Sequence, residues 1–421
     1  MKRVYILGAG ASAHARVPLG NKIIKKFIEL QLKQLENTSI DPILGNFSTL
    51  YNILRIQPNC KFTYDNSLED LKEENLPNIE DVFTLYDIAY QKDEPLLFES
   101  DIDLNIIRKD ILDLLTYTIE RSTTDALNEN NTTQIYQAFV EKLTDEDTII
   151  SYNYDTLLDN AVLHKFNELN YGFDFLTEED TINPLPEEER IKLWEKIAEK
   201  EGIPLEEFKE KYCVPEEDSE LKFGITAPLL IKPHGSLNWL YCPKCYRYFC
   251  LTQKELMNKA TYDGLYLSEC VDDCGGNLQQ FIVPLTHHKD FQNPLLNNLW
   301  MKINQRLSTA EEVYFIGYSI PDADYTSKYY FIKGLTRPNR KDCAKIKLIA
   351  PNAEKLGLGD KYRKIFGDIT EIIDDHEFEE VELNIGDKTF KTPQIKEIRY
   401  QFGKKKFKVI EKKFEEWVIK S

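Results

Sequence analysis

Short apolar runs that end in glycine, asparagine or histidine constrain this chain more than any other feature. They are Val4 to Leu7, Thr148 to Ser151, Leu229 to Lys232 and Val313 to Ile316, and Ile346 to Ile349 adds a fifth. A strand buried on both faces reads as an unbroken apolar run, whereas a strand with one wet face alternates. The expected class is therefore α/β, with a parallel sheet whose strands each deliver polar residues at the carboxyl end.

Between the first two runs the pattern turns helical, at Lys22–Leu35, Ile79–Tyr90, Leu104–Ile119 and Ile135–Leu143. Ile107, Ile111, Leu114 and Leu115 share one helical face there. That region, 36–145, is expected to be a helical insertion in the sheet's connectivity. A second insertion spans 171–220, where Pro184, Pro186, Pro204 and Pro215 punctuate acidic helical segments such as Glu187–Lys200. The sheet core is then expected from 1–35, 146–170, 221–241 and 277–352. Residues 353–421 form a C-terminal region, ending in Phe407, Ile410, Phe414 and Trp417 at helical spacing, with Lys404-Lys405-Lys406 as a solvated turn.

With 421 residues the chain can bury a large core and hold two or three domains. Its 53 basic against 71 acidic residues give a formal charge of −18, which argues against an exposed nucleic-acid surface, since phosphate backbones need a basic footprint. The start, Met1-Lys2-Arg3 followed by Val4 to Leu7, is too short for a secretory apolar core. No run is long enough for a membrane span. A cytoplasmic location is expected, and there cysteines in tight pairs read as metal ligands better than as disulfides.

Gly8-Ala9-Gly10-Ala11-Ser12-Ala13 lies between an expected strand and an expected helix. Such a glycine turn lets backbone N–H groups approach a pyrophosphate, though the same turn also serves packing alone. A standard dinucleotide fold continues into a second strand with an acidic ribose ligand. Here Arg16-Val17-Pro18-Leu19-Gly20 leads into a lysine-rich helix instead, which disfavours an ordinary dehydrogenase. Ser151-Tyr152-Asn153-Tyr154-Asp155 ends the second strand. Its polar residues either enter the ligand crevice at the carboxyl edge or form an Asx turn that caps a helix starting near Thr156.

His234 follows Lys232-Pro233 at the end of the third strand, with Gly235 behind it to permit a tight turn. A histidine near neutrality can take a proton from a sugar hydroxyl or a water. His14, His164, His287, His288 and His376 have no comparable setting. Cys242-x2-Cys245 and Cys270-x3-Cys274 then offer four thiolates, which suits a tetrahedral structural zinc in a module of residues 242–276, with Cys250 as a competitor for one place. Gly317-Tyr318-Ser319 ends the fourth strand, and Asn352 follows the fifth.

In this order, a Gly-Ala-Gly-x-Ser loop, an Asn-x-Asp strand end, a His-Gly pair, two cysteine pairs and Gly-x-Ser, the chain resembles the sirtuin superfamily. Residues 1–20, 147–160, 228–284 and 311–352 carry the resemblance. It implies a Rossmann-like, sirtuin-like sheet with NAD as substrate. Gly8, Ala9, Gly10 and Ser12 would bind the phosphates, Asn153 and Asp155 would face the nicotinamide ribose and carboxamide, and His234 would be catalytic. Gly317, Ser319 and Asn352 would meet the adenosine end.

Two departures redirect the expected activity. The Phe-Gly-Glu of deacylase sirtuins is replaced by Ile282-Val283-Pro284-Leu285-Thr286-His287-His288, and no Asp-Phe-Arg follows Val17-Pro18. The chain thus looks more like the bacterial sirtuin-like proteins of anti-phage defence, whose members hydrolyse NAD. The resemblance implies a defence effector with Asn153 and His234 as catalytic residues. Deacylation, or NAD and ADP-ribose binding without turnover, are the alternatives. Because unrestrained hydrolysis would kill the host, control by homo-oligomerisation or by a partner such as a HerA-type ATPase is expected.

Overall fold

The computed structural model describes residues 2–36, 76–94, 104–128, 134–173, 175, 204, 223–251, 270, 274–276, 278–283, 293–322, 324–335, 344–350, 352–367, 371–373, 383–385 and 388–390. The acidic segment Glu187–Lys200, the stretch Pro284–His288, Lys404–Lys406 and the C-terminal apolar pattern all lie outside these residues.

The described strands, in chain order, are β1 (Arg3–Leu7), β2 (Thr148–Ser151), β3 (Leu229–Ile231), β4 (Gly235–Tyr241), β5 (Tyr248–Cys250), β6 (Gln279–Ile282), β7 (Glu312–Ile316), β8 (Lys345–Ile349), β9 (Glu371–Ile373), β10 (Leu383–Ile385) and β11 (Lys388–Phe390). The five expected apolar runs supply β1, β2, β3, β7 and β8, joined by β9 in one sheet of order β3-β2-β1-β7-β8-β9. Every neighbouring pair in it is parallel. Ile6, Ile150, Ile231, Phe315 and Leu348 are buried in these strands. Each contributes roughly 1.5–3 kcal/mol of apolar burial. The three-residue β9 escaped sequence reading because a run that short has no period of its own.

The chain builds outward from β1 to β3, then returns past β1 to β7 and proceeds the other way. That order is Rossmann-like, and it places a topological switch between β1 and β7. All the polar strand ends therefore emerge on one edge.

Eight α-helices are described: α1 (Ile23–Glu36), α2 (Ile79–Lys92), α3 (Leu104–Asn128), α4 (Gln134–Val140), α5 (Leu157–Phe166), α6 (Pro294–Thr309), α7 (Tyr325–Leu335) and α8 (Leu358–Phe366). The first four match the expected helical stretches. Ile107, Ile111, Leu114 and Leu115 are all buried, as their shared face predicts. α3 runs on beyond Ile119 through polar residues, with Ser122 Oγ donating to Thr118 O and Thr123 Oγ1 to Ile119 O, each at 2.8 Å. Hydroxyls that bond the preceding turn hide in a helix while erasing its apolar period. Asn78 caps α2 by accepting from Glu80 N at 3.2 Å, and Asn293 caps α6 just ahead of Pro294. No helix among the described residues is long and apolar enough to cross a membrane.

The cysteine segment sits on a separate antiparallel sheet of order β5-β4-β6. This sheet already begins at Gly235, ahead of the expected module boundary at Cys242. Trp239 of β4 anchors it, with ring centroids 5.0 Å from Tyr171 and 5.2 Å from Phe173 in edge-on contact. At the amino edge of the large sheet, Arg3 Nε and Nη2 grip Asp147 in a fork, both bonds at 2.8 Å. That pair joins the start of β1 to the turn before β2, away from the carboxyl edge.

Candidate active site

Glycines close the switch point. The Gly8 N–H donates to Ile316 O and the Gly10 N–H to Gly317 O, both at 3.0 Å. A Cβ on Gly8 would lie 2.6 Å from Gly317 O and Tyr318 Cα, and one on Gly10 would lie 2.8 Å from Gly317 O. Gly317 itself has φ +58° and faces the Ala11 backbone nitrogen. The loops after β1 and β7 thus touch backbone to backbone. This is the packing service that the glycine pattern left open, and it commits the Gly8 and Gly10 amides to the protein. Ala9 and Gly10 still lie exposed on the carboxyl edge, as does Ser319, and Asn352 is half-buried after β8.

Beyond Gly8 the chain winds as a 3₁₀ helix, Ala9–Ala15, which ends with Arg16 in the left-handed region. Ser12 in this turn is buried, and its hydroxyl is a junction. It donates to Asp155 Oδ2 at 2.8 Å, receives Asn153 Nδ2 at 2.9 Å, and lies 2.7 Å from Tyr136 OH. A hydroxyl has one hydrogen and two lone pairs. With the hydrogen on Asp155, Asn153 and Tyr136 must both donate, so the Asn153 amide is held with its nitrogen toward Ser12. Its Oδ1 is buried and has no hydrogen-bond partner among the described residues. Burial pushes the Tyr136 phenol up, which keeps it a donor.

Asp155 forms the Asx turn that the sequence offered and also reaches across the fold to the glycine turn. Oδ2 holds Ser12, while Oδ1 accepts Leu157 N at 3.2 Å and so caps α5. Burial pushes its carboxyl above the usual carboxylate range, against the pull of the Lys232 ammonium and the Ser12 hydroxyl. Lys232, which sequence reasoning did not single out as a site residue, is wholly buried beside it. Its Nζ donates to Asp155 O at 2.8 Å, Asp159 Oδ2 at 3.0 Å and Ser236 Oγ at 2.7 Å. Three acceptors offset much of the cost of burying that charge. Asp159 also accepts from Tyr171 OH, so the network joins β2, β3, β4 and α5.

His234 is buried in the turn from β3 to β4. Gly235 takes φ +79°, and its N–H donates to Lys232 O at 3.0 Å; a side chain there would strike Phe281 O of β6. Val283 N donates to His234 O at 2.9 Å, Tyr154 OH donates to Val283 O at 2.7 Å, and Leu237 N donates to Tyr154 O at 3.0 Å. These bonds lock the end of β2 to the histidine turn. Tyr152 lies edge-on to the imidazole at 4.9 Å and stacks on Tyr318 at 4.5 Å. Asp324 Oδ2 approaches His234 Nε2 at 3.7 Å. Sequence reasoning missed Asp324, whose only local signal is that of a capping residue: its Oδ1 accepts Ser327 N at 3.3 Å at the head of α7.

Away from this edge, Cys242, Cys245, Cys270 and Cys274 gather with all four sulfurs within 4.8 Å of one another. The Cys242–Cys274 and Cys245–Cys270 sulfur separations are both 3.5 Å. Tetrahedral zinc–thiolate bonds of ~2.3 Å place sulfurs about 3.8 Å apart, so the cluster fits that metal. Burial raises the Cys242 thiol, but N–H groups of Cys245 and Lys244 and the Cys274 thiol outweigh it and bring it down to about 7. A Cβ on Gly276 would lie 2.6 Å from Cys242 Sγ, so the knuckle needs glycine. Cys250 is not a fifth member; its sulfur meets Asn238 Nδ2 at 3.3 Å.

Of the expected site residues, Ser12, Asn153 and Asp155 are brought into direct contact, and His234 sits beside them through Tyr152 and Tyr154. Gly317, Ser319 and Asn352 line the same edge without bonding to that group in any described contact. No family model matches the sequence. None of the curated proteins matches it either. Solved structures do. A sirtuin structure on the basis of substrate affinity is 13% identical, covers 82% of this chain and 81% of that chain, and has a TM-score of 0.32. One on the mechanism and regulation of Sir2 enzymes is 13% identical, with 88% and 86% covered and a TM-score of 0.32. Sir2 with a p53 peptide and NAD+ is 12% identical, with 82% and 80% covered and a TM-score of 0.31. The fold assignment rests on the strand order itself.

Proposed function

We propose that this chain hydrolyses NAD+ to nicotinamide and ADP-ribose, with the dinucleotide lying along the carboxyl edge at the β1–β7 switch. The observation that carries the reading is the Asn153 amide. Its nitrogen is fixed by Ser12, and its Oδ1 is a buried acceptor with no partner among the described residues. Leaving such an acceptor unmet costs about 1–3 kcal/mol, which a ligand proton would recover.

In the hydrolysis the bond from the ribose anomeric carbon to the pyridinium nitrogen breaks, and its electron pair stays with nicotinamide. Positive charge builds on the sugar as the bond lengthens, so a polar pocket with fixed dipoles favours the transition state. Asn153 Oδ1 holds the attacking water, whose oxygen bonds to the anomeric carbon. His234 takes the proton that the water gives up, directly or through a ribose hydroxyl. Asp155 keeps Ser12, and through it Asn153, in register, and faces the carboxamide end. Ala9, Gly10, Ser319 and Asn352 lie along the path toward the phosphates and adenosine.

The biological setting we propose is an effector of bacterial anti-phage defence, restrained by self-association or a defence partner such as a HerA-type ATPase until triggered. Purified protein, alone and with such partners, is incubated with NAD+ and products are separated by chromatography. Nicotinamide and ADP-ribose are expected, and Asn153→Ala and His234→Ala are each expected to stop their release. Unchanged release in both variants sinks the assignment. An acetylated peptide that yields acetyl-ADP-ribose instead would return the chain to deacylation.

A further inference from the structure

The carboxylate of Asp324 is held far more firmly than helix capping requires. Oδ1 takes the Ser327 N–H at 3.3 Å, while Oδ2 accepts Tyr318 OH at 2.9 Å and Ser327 Oγ at 2.5 Å. A capping aspartate needs only the first of these bonds. The doubly braced oxygen is the one that faces His234 Nε2 at 3.7 Å. Both side chains are buried, and Tyr152 bears on the imidazole edge-on while stacking on the same Tyr318 that braces Asp324. The imidazole is thus set between a fixed ring and a fixed carboxylate.

From this we infer that Asp324 is a positioning residue for His234, orienting the ring with its proton on Nε2 so that Nδ1 carries the lone pair. The inference rests on the hydrolytic reading of the site. A separation of 3.7 Å exceeds a formed hydrogen bond, but catalytic hydrogen bonds commonly tighten only once substrate is bound. A carboxylate next to one ring nitrogen selects the tautomer that presents N–H to it, since the other tautomer sets lone pair against lone pair. The neutral amide of asparagine loses that selectivity, because it offers both a donor and an acceptor.

Two experiments test the assignment. Nitrogen-15 NMR of the intact protein labelled at histidine, with His234→Gln to assign the signal, is expected to show His234 protonated on Nε2; a neutral ring protonated on Nδ1 overturns the proposal. This measurement needs no Asp324 variant to fold. In steady-state kinetics, Asp324→Asn is expected to lower kcat for NAD+ by about tenfold or more, within the range that general acid–base groups contribute, with KM changed less than about threefold. Ser327→Ala removes one brace yet leaves the carboxylate, and it is expected to lower kcat by less than Asp324→Asn does. Equal loss of kcat in Ser327→Ala and Asp324→Asn, tracking equal falls in Tm, reduces Asp324 to a structural cap and overturns the inference. If the wild type leaves NAD+ intact but the Nε2 tautomer is present and is lost in Asp324→Asn, the coupling stands and the hydrolytic reading alone falls.

Discussion

Asn153 and Ser12, 141 residues apart in the chain, meet at 2.9 Å with the amide donating and the hydroxyl accepting. The bond joins the end of β2 to the glycine turn after β1. Because the one hydrogen of Ser12 is already given to Asp155, this contact decides which way the Asn153 amide faces.

Ser12→Ala therefore removes an acceptor from Asn153 and a donor from Asp155 together. The expected cost is about 1–3 kcal/mol of stability, read by chemical denaturation. A loss of ~1–2 kcal/mol in positioning Asn153 corresponds to about a 5–30-fold drop in NAD+ turnover. Turnover equal to wild type would show that Asn153 keeps its orientation without Ser12.

Lys232 and Asp159 form a buried ion pair at 3.0 Å. Lys232→Met strands the Asp159 charge and is expected to destabilise the fold by about 3–5 kcal/mol. Asp159→Asn strands the ammonium and has a cost of similar size. The double variant is expected to lose less than the sum of the two, since neither uncompensated charge then remains. Strict additivity in urea titrations would contradict the pairing.

Gly317 and Gly357 both have positive φ, but only Gly317 has backbone in the way of a side chain; a Cβ on Gly357 meets nothing within 4 Å. Gly357→Ala should cost only the left-handed strain, about 1 kcal/mol at the low end of such penalties. Gly317→Ala adds a collision with Ala11 and Gly10 and should lower Tm by clearly more. Equal shifts in calorimetry would mean that the two loops can part without loss.

The four-cysteine cluster predicts one zinc per chain, measured by elemental analysis of purified protein. Cys242→Ser and Cys274→Ser are expected to lose the metal and most of the thermal stability of the β4–β6 sheet. Cys250→Ser is expected to retain it, because the Cys250 sulfur bonds Asn238 rather than the cluster. Full zinc in Cys242→Ser would show that another ligand set holds it.

Much of this arrangement was legible in the residues. The five apolar runs marked five of the six parallel strands, and the two cysteine pairs marked a cluster whose sulfurs do converge. Asn153, Asp155 and His234 stand out because they follow those runs, and a parallel strand delivers whatever follows it to one edge; the roles expected of them come from the resemblance. Asp324 and Lys232 do not stand out, for different reasons. Asp324 reads locally as a helix cap, and its approach to a histidine 90 positions earlier leaves no trace in spacing. Lys232 ends an apolar run, where a solvated ammonium is the ordinary expectation, and only its three buried acceptors show otherwise. β4 was hidden because its apolar residues blend into the run-up to Cys242.

By itself, then, the sequence determined the sheet class, the strand ends that carry polar residues, and the cysteine grouping. These are local properties, set by burial on both faces of a strand and by short ligand spacings. The tertiary structure alone decided what each polar residue touches. It turned Gly8 and Gly10 into a backbone contact with Gly317, made Ser12 a buried junction rather than a surface group, and brought Asp324 to His234. Such contacts depend on strand order and crossover geometry, and pairings between residues 90 or more positions apart have no period that a sequence can display.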